Sequence, residues 1–118
     1  LYTDYVLDSL IETLKNTTKY QTGLWYLSDH GESTGESGMY LHGAPYAIAP
    51  TQQTHVPMVM WFSQAWQQQA AKQVKCLVQQ NKSKLSQDNL FPTMLSLLNI
   101  KTSVINAKDD MLATCPNP

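Results

Sequence analysis

Leu24-Trp25-Tyr26-Leu27-Ser28-Asp29-His30-Gly31-Glu32-Ser33 is an apolar run that breaks into a polar turn. The first four residues read as a buried strand, so Asp29 and His30 fall just past its carboxyl end. Open α/β sheets place their ligands there. Adjacent Asp29 and His30 offer a carboxylate oxygen and an imidazole nitrogen, a donor pair suited to a divalent metal and to zinc in particular. The stretch therefore points to an α/β metalloprotein.

Outward from it, the periodicity continues the α/β reading. Val6, Leu7, Leu10, Ile11 and Leu14 share one helical face, which predicts a helix over Asp4–Asn16. The strand itself is expected over Thr22–Leu27. Residues 31–54 are rich in Gly, Ser, Thr, Pro and Gln without a sustained period, and so long a loop beside Asp29-His30 favours function. Val56–Phe62 reads as a second buried strand, with Pro57 placed where a missing N–H does little harm. Ser63 is positioned to cap a helix to about Gln80, with Val74, Leu77 and Val78 facing inward. Pro92 sets the start of another helix at Asp88 or Asn89. Val104 and Ile105 mark a short edge strand over Lys101–Asn106, and an irregular tail is expected from Lys108. The order αβ, long loop, βα, α, short β implies part of an α/β sandwich.

Composition narrows the partners. The 118 residues are 42% hydrophobic with a formal charge of −1, which gives no basic surface for nucleic acid. No stretch reaches the roughly 20 apolar residues of a transmembrane helix. The opening Leu1-Tyr2-Thr3-Asp4 reads as the inside of a folded domain, so a fragment is expected. Cys76 and Cys115 are too few and too far apart for a zinc ribbon. They are either one bridge, in an oxidising compartment, or two unrelated thiols.

Longer motifs add a family. Ser28-Asp29-His30-Gly31-Glu32-Ser33, Gly35-Glu36-Ser37-Gly38 and Tyr40-Leu41-His42-Gly43 together resemble the catalytic domain of lipid A phosphoethanolamine transferases. Pro45–Pro50, Gln52-Gln53-Thr54-His55-Val56-Pro57 and Ser86–Phe91 extend the match over nearly the whole chain. The family includes the mobile colistin-resistance enzymes and lies in the alkaline-phosphatase and sulfatase superfamily. The resemblance implies part of an αβα sandwich with a mostly parallel central sheet. Residues 1–118 would be the C-terminal portion of a single periplasmic catalytic domain. The upstream half of that domain and the inner-membrane helices would lie outside the sequence.

The implied activity is transfer of phosphoethanolamine from phosphatidylethanolamine to lipid A through a zinc-assisted phosphothreonine. Asp29 and His30 match two of the family's zinc ligands, and His42 matches a histidine that binds substrate or a second zinc. The family's threonine nucleophile and glutamate ligand match nothing in this sequence, so the segment alone is expected to be inert. Phosphoryl transfer needs positioning and charge stabilisation. An imidazole that titrates near neutrality suits His42 to proton donation at the leaving oxygen or to phosphate binding. Glu32 and Glu36 are either partners that orient His30 or solvated loop carboxylates. His55 reads as a structural hydrogen-bonding residue, and Tyr40 and Tyr46 as possible borders of a headgroup pocket. The rival readings are a sulfatase or phosphodiesterase of the same superfamily, and a non-catalytic metal- or lipid-binding module.

Overall fold

The computed structural model describes residues 1–115. They pack as two compact units, one of Leu1–Ser63 and a second that begins at Gln64.

The first unit opens with α1, Tyr2–Lys15, which covers the helix expected over Asp4–Asn16. Lys15 in its last turn pairs with Glu12 at 2.6 Å, a cation placed where the helix dipole favours it. Asn16 ends the helix, its N–H donating to the carbonyls of Glu12 and Leu14. The Thr22 hydroxyl then donates to the Leu14 carbonyl, which ties the helix end to the start of the strand. Leu7, Ile11 and Leu14 are half-buried, while Val6 and Leu10 on the same face are exposed.

Strand β1, Gly23–Leu27, carries the deciding apolar run. Its partner is the second expected strand, here Met58–Phe62, with Gly23 opposite Phe62 and Leu27 opposite Met58. That register is antiparallel, and so is the two-residue hairpin of Ser33–Thr34 with Tyr40–Leu41. The expected mostly parallel sheet is therefore corrected: both sheets of the described residues are antiparallel. The connection supplies the reason. Parallel neighbours need a crossover, usually a long helix. Between Leu27 and Met58 the only α-helix is the four-residue Thr51–Thr54, so the chain returns alongside itself. In chain order the strands are β1, β2 (Ser33–Thr34), β3 (Tyr40–Leu41) and β4 (Met58–Phe62), and Thr51–Thr54 is α2. Ser63 closes the far end of the β1–β4 pair: its N–H donates to the Thr22 carbonyl and its Oγ accepts the Thr22 N–H.

The second unit is helical. The helix expected from Ser63 to Gln80 is kinked at Ala70 (φ −116°, ψ 38°) into α3, Gln64–Gln69, and α4, Ala71–Gln79. The i−4 hydrogen bonds of Ala70 and Val74 carry the chain through the kink. Helix α5, Leu90–Leu97, follows a 3₁₀ turn whose Ser86 and Asn89 bond reciprocally as a capping box. Asn99 at φ 55° ends α5: its N–H donates to the Ser96 carbonyl and the Ile100 N–H to that of Leu95. This paired closure leaves orphan carbonyls satisfied.

The edge strand expected over Lys101–Asn106 is absent. No described strand lies beside that segment to pair with it, and Val104 is exposed. The tail instead turns at Ala107–Asp109 and docks on one face of the preceding helix. Asn89 donates to the Asp109 carbonyl, Thr93 accepts the Met111 N–H at 2.8 Å, and Ser96 bonds the Asp110 carboxylate. Cys76 and Cys115 are disulfide-bonded, which resolves their alternatives in favour of a bridge from α4 to the tail. Among the described residues of this unit, Ala70, Leu77, Pro92, Met111 and Leu112 are the buried apolar side chains.

Candidate metal centre

The site is built at the carboxyl end of β1 by a turn that closes on its own side chains. Ser28 Oγ donates to the His30 carbonyl at 2.8 Å, and Asp29 Oδ1 accepts the His30 N–H at 3.1 Å. Such local bonds are what Ser and Asp supply in turns. Gly31 comes next and lies flat against α2. Its N–H donates to the Gln53 carbonyl at 3.0 Å, and a Cβ there would stand 1.8 Å from the Gln52 oxygen. No larger residue fits, so the chain passes this point only as glycine, with His30 on one side and Glu32 on the other.

The β2–β3 hairpin then brings the chain back. Ser33 pairs with Leu41, which sets His42 beside the turn it left ten residues earlier. His30 and His42 stack with ring centroids 3.8 Å apart and planes at 26°. His42 Nδ1 lies 2.8 Å from Glu32 Oε1, and His30 Nδ1 lies 3.0 Å from the Gly31 carbonyl. One donor atom from each of His30, Glu32 and His42 falls within 4.8 Å of the others. All three side chains are about half exposed, so an incoming group can reach them.

Two imidazoles and a carboxylate are zinc donors, and three protein ligands with an open fourth position is the catalytic pattern. Two donors on one tetrahedral zinc, at bonds of about 2.0–2.2 Å, stand about 3.3–3.6 Å apart. The 4.8 Å envelope must close by about 1 Å around an ion, a movement open to half-exposed side chains, so the residue types fit a metal ion. His30, Glu32 and His42 are a candidate metal-binding group.

The other residues singled out from the sequence take definite places. Asp29 sits beside the group, its Oδ2 3.8 Å from His30 Nε2. Glu32 partners His42 rather than His30. Glu36 faces its own loop, accepting the Thr34 N–H at 2.7 Å and the Thr34 hydroxyl at 3.2 Å. Its own N–H, then that of Thr34, hold the Glu36 carboxyl below its ordinary value. His55 closes α2, its N–H donating to the Thr51 carbonyl at 2.7 Å. Tyr40 and Tyr46 are exposed on the loop. Glu32 was legible as a motif member but not as a donor, because only the hairpin makes it face His42.

Comparison with known proteins gives the family. The sulfatase family pattern matches residues 1–100. Phosphoethanolamine transferase EptA of Salmonella typhimurium is 52% identical over 98% of this chain, which covers 21% of that protein. The C-terminal periplasmic domain of phosphoethanolamine transferase EptC from Campylobacter jejuni superposes with a TM-score of 0.82 at 49% identity, over 95% of this chain and 34% of that one. The integral membrane lipooligosaccharide phosphoethanolamine transferase A of Neisseria meningitidis gives 0.89 at 45% identity, over 99% and 22%. The chain thus spans about a fifth of the length of the curated relatives it matches most fully. Among the described residues no helix is long and apolar enough to cross a membrane. Matched by the family pattern over residues 1–100, the chain belongs to the sulfatase family and is similar there to the phosphoethanolamine transferases.

Proposed function

We propose that this chain is the C-terminal part of a periplasmic catalytic domain that transfers phosphoethanolamine from phosphatidylethanolamine to lipid A at the bacterial inner membrane. A cell that decorates lipid A in this way resists colistin. The observation that carries the reading is the convergence of His30, Glu32 and His42 within the region shared with the transferases. The uncovered apolar residues of α1 (Tyr5, Val6, Leu10) and α5 (Phe91, Met94) support a larger domain in which they are covered.

His30, Glu32 and His42 would hold zinc, with the Asp29 carboxylate at the edge of the group. Bound there, zinc supplies charge stabilisation to phosphoryl oxygens and acidifies a coordinated hydroxyl. Glu32 fixes the ring of His42 through Nδ1, which leaves Nε2 as its working nitrogen. The carboxylates of Asp29 and Glu32 set the charge of the group, and half-exposure leaves it open to a lipid phosphate. No residue of this sequence takes the nucleophile's role.

The same 2.8 Å bond favours a second division of labour. Here Asp29 and His30 hold the ion, and His42, held by Glu32, binds the phosphoryl group or protonates the leaving oxygen. His42→Ala in the full-length protein separates the two. Under the first division, zinc affinity and transfer to lipid A both collapse. Under the second, zinc stays and only transfer is lost. Normal zinc affinity and normal transfer in both His30→Ala and His42→Ala would sink the whole reading.

A further inference from the structure

Gln53 lies in a stretch of mostly polar sequence, yet it is one of the most buried residues of its unit, 7% exposed. Its amide works in both directions. Nε2 donates to Ser33 Oγ at 2.9 Å, and Oε1 accepts the Ala44 N–H at 3.2 Å. Its carbonyl accepts the Gly31 N–H at 3.0 Å. Those three contacts fall next to, or two residues from, the members of the candidate metal group. Gly31 separates His30 from Glu32, Ser33 follows Glu32, and Ala44 comes two residues after His42.

The backbone at His42 shows why such a clamp is needed. Leu41 adopts φ 63° and Gly43 φ 90°, so His42 stands between two left-handed residues. For a bulky residue such as Leu41 that conformation is costly and persists only where the surroundings impose it. Gln53 grips both flanks of this segment: Ser33, which pairs with Leu41, and Ala44. A buried amide with both ends satisfied is the device for this, since losing either partner would leave a buried polar atom unpaired.

We infer that Gln53 is the positioning residue that holds His42 against His30 and Glu32, and thereby sets the metal affinity of the group. The inference rests on the reading in which His42 is a zinc ligand. Gln53 touches neither metal nor substrate in this role; it acts through Ser33, Ala44 and Gly31. Residues that orient ligands in this way typically govern metal affinity by about 10- to 100-fold.

The test is a double-mutant cycle in the full-length protein, with zinc affinity measured by chelator competition and the melting temperature recorded alongside. Gln53→Met, which keeps the length and removes the amide, is expected to weaken zinc binding about 10- to 100-fold. In a His42→Ala background the same change should add nearly nothing, because the ligand it positions is gone. Ser33→Ala removes one arm only and serves if Gln53→Met does not fold; it should show a smaller loss with the same dependence on His42. A merely structural role predicts a lowered melting temperature with equal zinc losses in both backgrounds, and that result overturns the inference. If His42→Ala weakens zinc while Gln53→Met and Ser33→Ala leave it unchanged, the positioning role falls and the metal reading stands. If His42→Ala leaves zinc binding untouched, the reading beneath it falls and takes the inference with it.

Discussion

The two units bury opposite kinds of side chain. Among the described residues of the first unit, the buried ones are Ser33 and Gln53, both polar and bonded to each other beneath the candidate site. In the second unit they are Ala70, Leu77, Pro92, Met111 and Leu112, with Thr93 as the single polar member. A buried polar pair specifies geometry and is costly when half-satisfied. Buried apolar side chains stabilise with little directional demand. The first unit thus devotes its interior to positioning, and the second to cohesion reinforced by a disulfide.

The sharpest way to break this contrast is at Gly31. In Gly31→Ala the new Cβ meets the Gln52 backbone oxygen at 1.8 Å, and no side-chain rotation relieves a clash between backbones. The turn or α2 must move, and the Gly31–Gln53 bond with it. Zinc affinity should fall by about 100-fold and stability by about 3 kcal/mol. An unaltered zinc affinity in this variant would show that the site does not depend on its polar floor.

The second unit is probed by reduction. The bridge between Cys76 and Cys115 spans 39 residues, and closing a loop of that size is worth about 2–4 kcal/mol. Reduction, or paired Cys→Ser replacement, should lower stability by that amount and raise amide exchange near Met111, with zinc affinity unchanged. A parallel loss of zinc would mean that positioning is not confined to residues 28–53. A smaller effect comes from Thr93, fully buried with its hydroxyl accepting the Met111 N–H. Thr93→Val leaves that N–H unpaired and should cost about 1–3 kcal/mol. Thr93→Ser keeps the acceptor, so its loss should be the lesser of the two; the reverse order would mean that packing, not the bond, governs this position.

How far the sequence carried depended on whether the signal was local. Helix α1, strand β1 and the second apolar strand were legible from periodicity and run length, because their residues declare their own burial. So was the placement of Asp29 and His30 past the strand end. The direction of β4 was not, since strand pairing is set by the connection, and a thirty-residue loop without a crossover helix has no direct sequence signature. The expected strand at 101–106 failed for a related reason: Val104 and Ile105 have the residue type but no neighbour to pair with. Glu32 needed the hairpin register before it could be seen to face His42, and Gln53 needed the folded loop before it could be seen to hold Ser33 and Ala44 on either side of that histidine. No single helix or strand spans either pair, so their spacing of 10 and 11 residues from His42 carries no periodic signal.

The finest comparison sets Glu36 against Glu32, two carboxylates of one motif. Glu32 faces a histidine, whereas Glu36 is held by the backbone of its own loop, chiefly its own N–H and that of Thr34. Those donors favour the charged form, so the folded-state pKa of Glu36 lies below its ordinary 4.5. A carboxyl depressed in the folded state adds stability that is fully present above the unfolded value and is lost as the pH falls through the folded one. Glu36→Gln should therefore destabilise slightly at about pH 7, and the deficit should shrink as the pH is taken below the ordinary 4.5. Because Glu36 lies at the solvent-facing rim, added salt should shrink the difference further. Chemical unfolding of both proteins across that range reads the effect. A deficit that stays constant from acid to neutral pH would assign Glu36 a packing role instead, and the loop would then owe its shape to Gly35 and Gly38, whose φ values of 131° and 75° no other residue takes up without strain.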